Sequence, residues 1–558
     1  MRSGLSGVIL LGGLVLPGAI LLCQDKPEPP KREVRLQETR ADSIEEERLP
    51  KIALPEFEIT GNEVVSAGDG SKGEPDAHWS VRSTTLSDPG QRESSGTVLG
   101  DPSLAGLPAG VQGISGRVEG RFGSFRTPMF DLWLGASSLD VHLLLKSGYA
   151  SSSGHVAYAD YRKGYVSLSA GHYLSNETSI LGMASIHGDI GFRGHAFKLY
   201  GSDTPDRQRT LGQFEISAGA KSRFDLPFRY DANVSLRSFS MLDERRSEET
   251  EFGLNVAAES NLHETYVRAS LELWRDFYSV PSSDQDPFWN SLSLTAQRKL
   301  LDRVQLVGGA VVYFLRGSDG GSFARAYPRA AVLWQAGDRL NLFARYEPHI
   351  ARLSIFSLVE QNPYNANDPA ISHPEYQTNF LLGAEIDPDP ALRAKITFSY
   401  QRVRNHPFFA DPAQQGVWIV EYSGTARVLG FEGECSFDLT PESRLSGSIV
   451  LRDVQNTETG AVLPYSRPVQ VSAVYRHTLP IRITLGTRLQ IVGSQYIDLD
   501  NTRTLPAFAV WGSSAEYETI PRLVIGLAVE NLLGTRQERW EGYSGLPRVA
   551  TLFARYGW

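Results

Sequence analysis

From residue 111 onward the chain keeps returning to one pattern: every second residue is apolar, over long unbroken stretches. In "ALRAKITFSYQRV", Leu392, Ala394, Ile396, Phe398 and Tyr400 take one set of alternate positions, and Arg393, Lys395, Thr397, Ser399 and Gln401 take the other. "YDANVSLRSF" sets Ala232, Val234 and Leu236 against Asp231, Asn233, Ser235 and Arg237. "RLSGSIVLRD" sets Leu445, Gly447, Ile449 and Leu451 against Ser446, Ser448 and Arg452, and "RLVIGLAVEN" sets Leu523, Ile525, Leu527 and Val529 against Val524, Gly526, Ala528 and Glu530. The last stretch, "RVATLFARYGW", puts Ala550, Leu552, Ala554, Tyr556 and Trp558 on one side and Arg555 on the other. Successive side chains of a strand point to opposite faces, so each run is a strand with one greasy and one wet side. Sandwiches and propellers also alternate, but their strands average about five or six residues. Runs of roughly 10–16 residues match a tilted bilayer crossing instead.

The connections point the same way. Short turns fall at 174–178, 226–228, 301–303, 336–338, 387–390, 440–443, 479–480 and 519–521. Long polar loops fall at 191–207, 242–248, 279–287, 316–322, 348–374, 407–423, 455–465, 495–504 and 533–545. Short turns on one side and longer loops on the other are the pattern of a transmembrane barrel. The expected fold is therefore all-β: an antiparallel up-and-down transmembrane β-barrel over 111–558, with about 22 strands. The first three, near 112–124, 127–136 and 139–149, are the least sharply bounded. In hydrocarbon every backbone polar group must find an internal partner, so the last strand has to seal against the first. Trp558, Tyr556 and Leu552 are the residues expected to close and help assemble that wall, with the two rings in an interfacial aromatic girdle.

Composition agrees once the barrel is in view. Only 41% of the 558 residues are hydrophobic, as expected where half of each strand faces a wet lumen. The net charge of −9 argues against nucleic acid as a partner. Residues 1–23 read as an export signal: Arg2, then "VILLGGLVLPGAILLC", then an abrupt polar turn. An uncleaved anchor is the alternative. Cys23 raises lipidation, against which Leu22 stands where a small residue is wanted. Cys435 is the only other cysteine, so the mature chain carries no expected disulfide. Residues 24–110 are charged or Gly/Ser-rich and are expected to be largely disordered, on the periplasmic side. Within them "LPEFEITG", 54–61, alternates Phe57 and Ile59 with Glu56, Glu58 and Thr60. It reads either as a strand that adds to a partner's sheet edge or as an apolar blip in a linker.

The segment "LVIGLAVENLLGTRQERWEGYSGLPRVATLFARYGW", 523–558, resembles the end of TonB-dependent outer-membrane receptors. The Asn531–Leu532 pair closes the penultimate strand, and Tyr543 and Pro547 lie in the loop before the sealing strand. "TLPAFAVWGSSAEYETIPRL", 504–523, resembles the hairpin before it. "LPEFEITG" resembles the family's acidic stretch that docks to the energy-transducing partner. The resemblance implies a receptor or transporter in the outer membrane of a diderm bacterium, assembled by the barrel assembly machinery and embedded in outer-membrane lipid. It implies a TonB-like protein as partner and an unidentified small solute as cargo. One departure stands: residues 62–110 leave no room for the family's full plug domain. A plugless structural or secretion-linked barrel, filled by a partner or by its own N-terminal arm, is the alternative.

Candidate functional residues fall into two further groups. Arg237, Arg393, Lys395, Arg452, Glu530 and Arg555 lie on the wet face, as lumen-lining groups or as a wall of cross-strand ion pairs. The loop "IARLSIFSLVEQNPYNANDPAISHPEY", 350–376, offers Tyr364, Asn365, His373 and Tyr376 for contact with a solute, or as plain loop chemistry. No catalytic, metal or cofactor site is expected: no H-E-x-x-H, G-x-S-x-G or phosphate-cradling loop occurs, and His187 in "SIHGD" stands beside common residues only.

Overall fold

The computed structural model describes residues 113–138, 140–174, 184–222, 226–280, 283–316, 321–389 and 392–558. The export segment, the charged stretch 24–110 with its 54–61 island, and most of the 174–178 turn lie outside the described residues. The rest is a closed antiparallel barrel of 22 strands, each paired with its sequence neighbours. Strand lengths run from the seven residues of Leu340–Tyr346 to the 22 of Ile419–Thr440. The three loosely bounded strands are Gly113–Gly123, Thr127–Ser137 and Val141–Ser152. Three of the long loops are markedly shorter than the sequence suggested. Strand Ala184–Lys198 extends the wall to leave 199–207, strands Phe228–Leu242 and Arg246–Leu262 leave 243–245, and strands Leu392–Ala410 and Ile419–Thr440 leave 411–418.

The alternation sets the register of this wall. Leu382 pairs with Phe398, Phe398 with Phe431, and Phe431 with Leu451, so one apolar row crosses four strands. Phe398 is 55% exposed and Leu552 59%, as are dozens of large apolar side chains on the same outer face. A belt of that size would aggregate in water and is at home in hydrocarbon. The alternate positions hold Arg, Glu, Ser and Gly and face inward. Among the described residues no helix is long and apolar enough to cross a membrane, and the strands make the crossing here.

The seam closes as lipid requires. Strand Gly113–Gly123 pairs with Val549–Gly557, from Arg117 opposite Gly557 to Gly123 opposite Thr551. Beyond the last pair, Gly116 and Trp558 exchange both backbone hydrogen bonds, at 3.1 and 3.0 Å. Leu552 and Tyr556 sit on the outer face with Phe122 and Val118 opposite. The Tyr556 and Trp558 rings stack with centroids 6.1 Å apart. The Trp558 indole lies over Gly116, where a Cβ would meet it at 2.2 Å, so only glycine leaves room for the ring. On the inner face Arg555 binds Glu119 and Glu516 at 3.0 and 3.2 Å, while Arg121 joins Glu119 to Asp131 at 2.6 and 2.9 Å.

Candidate functional site

The outer loops do not stand away from the wall; they fold across its mouth. The largest, 347–374, carries a helix, Ile355–Gln361. Ser354 caps it: its Oγ accepts from the Ser357 N–H at 3.1 Å, and Ser357 Oγ accepts from the Ser354 N–H at 2.9 Å. Ile355, Leu358 and Val359 share one face and are buried. Three charged groups from inward-facing strand positions, or matched to them, fix this loop. The Glu249 carboxylate accepts from the backbone N–H of Ile355 and Phe356, at 3.1 and 2.8 Å. Arg352 bridges Glu251 and Asp276, the latter at 2.5 Å. Arg209 is 1% exposed; it binds Asp243 at 2.6 Å and donates to the carbonyls of Pro363 and Asn365 at 2.9 and 2.6 Å. Burial acts to raise the Asp243 carboxyl, but its bonds to Arg209, to the Arg245 N–H and to Asn367 hold it below the ordinary carboxylate range.

An aromatic core lies against the helix. Trp418 is fully buried, 5.2 Å from Trp540 and 5.7 Å from Tyr543. Tyr364 stacks on Tyr543 at 3.6 Å, and the Tyr543 hydroxyl donates to the Gly416 carbonyl at 2.9 Å. Tyr465 from a fourth loop packs on Trp540 at 4.7 Å, and the Tyr200 hydroxyl from a fifth donates to the Ser544 carbonyl at 2.8 Å. Phe239, Met241, Tyr278 and Val280 complete the cluster from the strands. The result is a packed lid.

The four loop residues singled out in the sequence are all engaged within this lid. Asn365 is fully buried and bridges to Trp418. Tyr364 is stacked as described. His373 Nδ1 accepts from the Leu353 N–H at 3.2 Å; burial and the nearby Arg352 lower its pKa to about 4. Tyr376 stacks on His349 at 4.4 Å with the rings 8° from parallel.

The six charged wall residues occupy positions opposite the apolar belt. Arg237 pairs with Glu251 at 2.9 Å and lies 3.5 Å from Glu215, and Arg452 pairs with Glu432 at 3.2 Å. Lys395 sits in register between Glu385 and Glu434, Arg393 opposite Ser436 and Glu530 opposite Val549. Of the residues that build the lid, Arg209, Glu249, Arg352, Trp418 and Trp540 carry no signal in the sequence, and Tyr543 enters there only as part of the loop before the sealing strand. The signal that could have marked the helix is Ser354 preceding apolar residues at i, i+3 and i+4 spacing. Among the described residues no group of three His, Cys, Asp or Glu is placed to hold a metal ion.

A closed barrel of this size, with an apolar belt and folded outer loops, is a bacterial outer-membrane protein. Residues 106–532 match the family model for the TonB dependent receptor-like β-barrel, and the chain belongs to that family. Solved structures share the fold at low identity. The FrpB iron transporter from Neisseria meningitidis is 12% identical, with a TM-score of 0.64 over 81% of this chain and 82% of that one. The copper transporter OprC is 12% identical, with a TM-score of 0.64 over 80% of each chain. The siderophore receptor PirA from Acinetobacter baumannii is 10% identical, with a TM-score of 0.62 over 80% and 81%. No curated protein matched the chain.

Proposed function

We propose that this outer-membrane receptor captures a small anionic metal chelate at its outer face and admits it to the lumen when the lid opens. The lid carries the reading. A wall of 22 strands encloses a wide lumen, and five separate outer segments are packed across its mouth. That arrangement suits gated capture rather than a standing pore. The cargo class rests on chemistry near the helix. Arg237 lies 4.7 Å from the Phe356 ring centroid. Burial raises the pKa of Glu360 while Arg193 and Arg237 pull it back, so a cationic and aromatic rim faces the helix. Such a rim suits aromatic or carboxylate chelates, in keeping with the iron, copper and siderophore cargoes named for the structural relatives.

Residues 54–61, with Glu56, Phe57, Glu58, Ile59 and Thr60, would add a strand to a TonB-like periplasmic protein that supplies the energy. Arg237, Arg393, Lys395, Arg452, Glu530 and Arg555 would line the pathway. The barrel assembly machinery and outer-membrane lipid complete the set of partners, and no catalytic role is assigned to any residue.

Three measurements test this. In planar bilayers the intact chain should be silent, and deleting residues 355–361 should produce conductance steps; a large open pore in the intact chain would refute the gate. Tryptophan emission should be quenched saturably by at least one member of a panel of ferric catecholate, ferric hydroxamate and cupric chelates. Uptake, but not binding, should be lost on deleting 54–61. Indifference to every chelate would remove the cargo class.

A further inference from the structure

Among the described residues, one cross-strand row on the lipid-facing side of the wall sets two like charges directly against each other. Above the apolar belt on strands Glu375–Asp389, Leu392–Ala410, Ile419–Thr440 and Ser443–Asn456, one cross-strand row reads Thr378, Arg402, Arg427, Gln455. Arg402 and Arg427 are directly opposed. Exposed Arg404 lies two residues further toward the outer end, 3.9 Å from Glu375. Directly opposed like charges destabilise a sheet.

Elsewhere this barrel neutralises such pairs from within. Glu251 and Asp276, opposed in the wall, share Arg352, and Glu119 and Asp131 share Arg121. Arg444 and Arg476 are opposed with Asp438 bound to Arg444. At Arg402 and Arg427 the only acid at hand is Asp453, 3.3 Å from Arg427 and offset to its far side. Arg427 Nε is buried without an acceptor, and Arg402 makes no ion pair among the described residues. Arg402 therefore faces Arg427 with no counter-ion of its own among the described residues, whereas an arginine bridges each acidic pair and Asp438 neutralises Arg444.

Directly beneath lies a groove on the same outer face, lined by Phe380, Phe398, Tyr400, Leu429, Phe431 and Leu451. The Phe398 and Phe431 rings meet at 4.9 Å. The outermost lining of the groove, Tyr400, Leu429 and Asp453, lies one outward-facing row below Arg402 and Arg427, so an acyl chain lying in it would bring its headgroup to the level of the guanidinium groups. Arginine presents a planar fork suited to phosphate oxygens. We propose that this face is a binding site for a phosphate-bearing lipid of the outer leaflet, its phosphate between Arg402 and Arg427 and one acyl chain in the groove. Lipid tails are as apolar as the groove itself, so the groove supplies shape while the arginines supply selectivity. The site is independent of the cargo and the gate.

Native mass spectrometry of the full chain in detergent tests this, with three probes: a bis-phosphorylated, multiply acylated diglucosamine lipid, the same lipid dephosphorylated, and phosphatidylethanolamine. The phosphorylated lipid should be retained at least tenfold over the other two. Millimolar inorganic phosphate should not displace it. The R402Q/R427Q variant should lose the preference while keeping the heat-dependent gel shift of a closed barrel. If that variant fails to close, Arg402→Gln alone decides, because it removes no ion pair within the described wall. Equal retention of the phosphorylated and dephosphorylated lipids, or a preference that survives the substitution, would overturn the proposal. Displacement by phosphate alone would also overturn it and leave a small-anion site.

Discussion

Arg209 spends all of its donor geometry on the lid. Its guanidinium makes five hydrogen bonds, two to Asp243 and one each to Pro363, Asn365 and Asn367. Arg209→Gln would leave the 3%-exposed Asp243 side chain without its counter-ion and the Pro363 and Asn365 carbonyls without their donor. Removing one partner of such a buried pair costs about 3–5 kcal/mol. The expected outcome is faster hydrogen exchange over 353–371 in micelles, with the gel shift of the wall unchanged. His373 sets a pH dependence of the same lid. In the open lid it takes a proton at its ordinary pKa of about 6.5. In the closed lid it resists protonation down to about pH 4, because burial disfavours the charged ring and Arg352 is near. The closed form thus binds fewer protons. Its stability is complete above about pH 6.5, falls as pH drops through that value, and the loss levels off near pH 4 at roughly 3 kcal/mol. Exchange over 353–371, corrected for intrinsic rate, should quicken across that window, and less so in His373→Gln.

At the scale of the element, a strand is a register, and the register can be challenged one residue at a time. Leu294, 56% exposed at the middle of Phe288–Leu301, faces hydrocarbon, while Thr295 beside it faces inward. Leu294→Arg should cost about 2–4 kcal/mol and Thr295→Arg far less. Urea unfolding in micelles, followed by tryptophan emission, checks the difference; equal costs would mean the register is misread. This level was the most legible in the sequence. Lipid outside and water inside force a period of two on every crossing, so Leu392 to Tyr400 and Leu445 to Leu451 declare their faces without any tertiary information. The seven-residue helix was missed for the converse reason. Ile355, Leu358 and Val359 are helically spaced, but the stretch is only about two turns long among Asn, Pro and aromatic residues that read as loop.

At the scale of the molecule, the wall was legible and the lid was not. Wall pairs join sequence neighbours, so turn spacing alone orders them. Lid contacts join Tyr200 to Tyr543, Arg209 to Asn365 and Trp418 to Trp540, and no local pattern marks partners so far apart. Arg209 in particular sits on an otherwise ordinary strand and becomes decisive only once the 347–374 loop is laid over it.

That same weave dictates an order of events. Tyr200 and Tyr543 are 343 positions apart along the chain, and their segments meet only after the strands between them have been laid down and sealed. Trp418 and Trp540 should therefore become shielded late. Refolding from urea into micelles is expected to show the compact gel band first, with a lagging blue shift in emission as the mouth knits together. Loss of that lag would mean the mouth is already organised before the cylinder is whole.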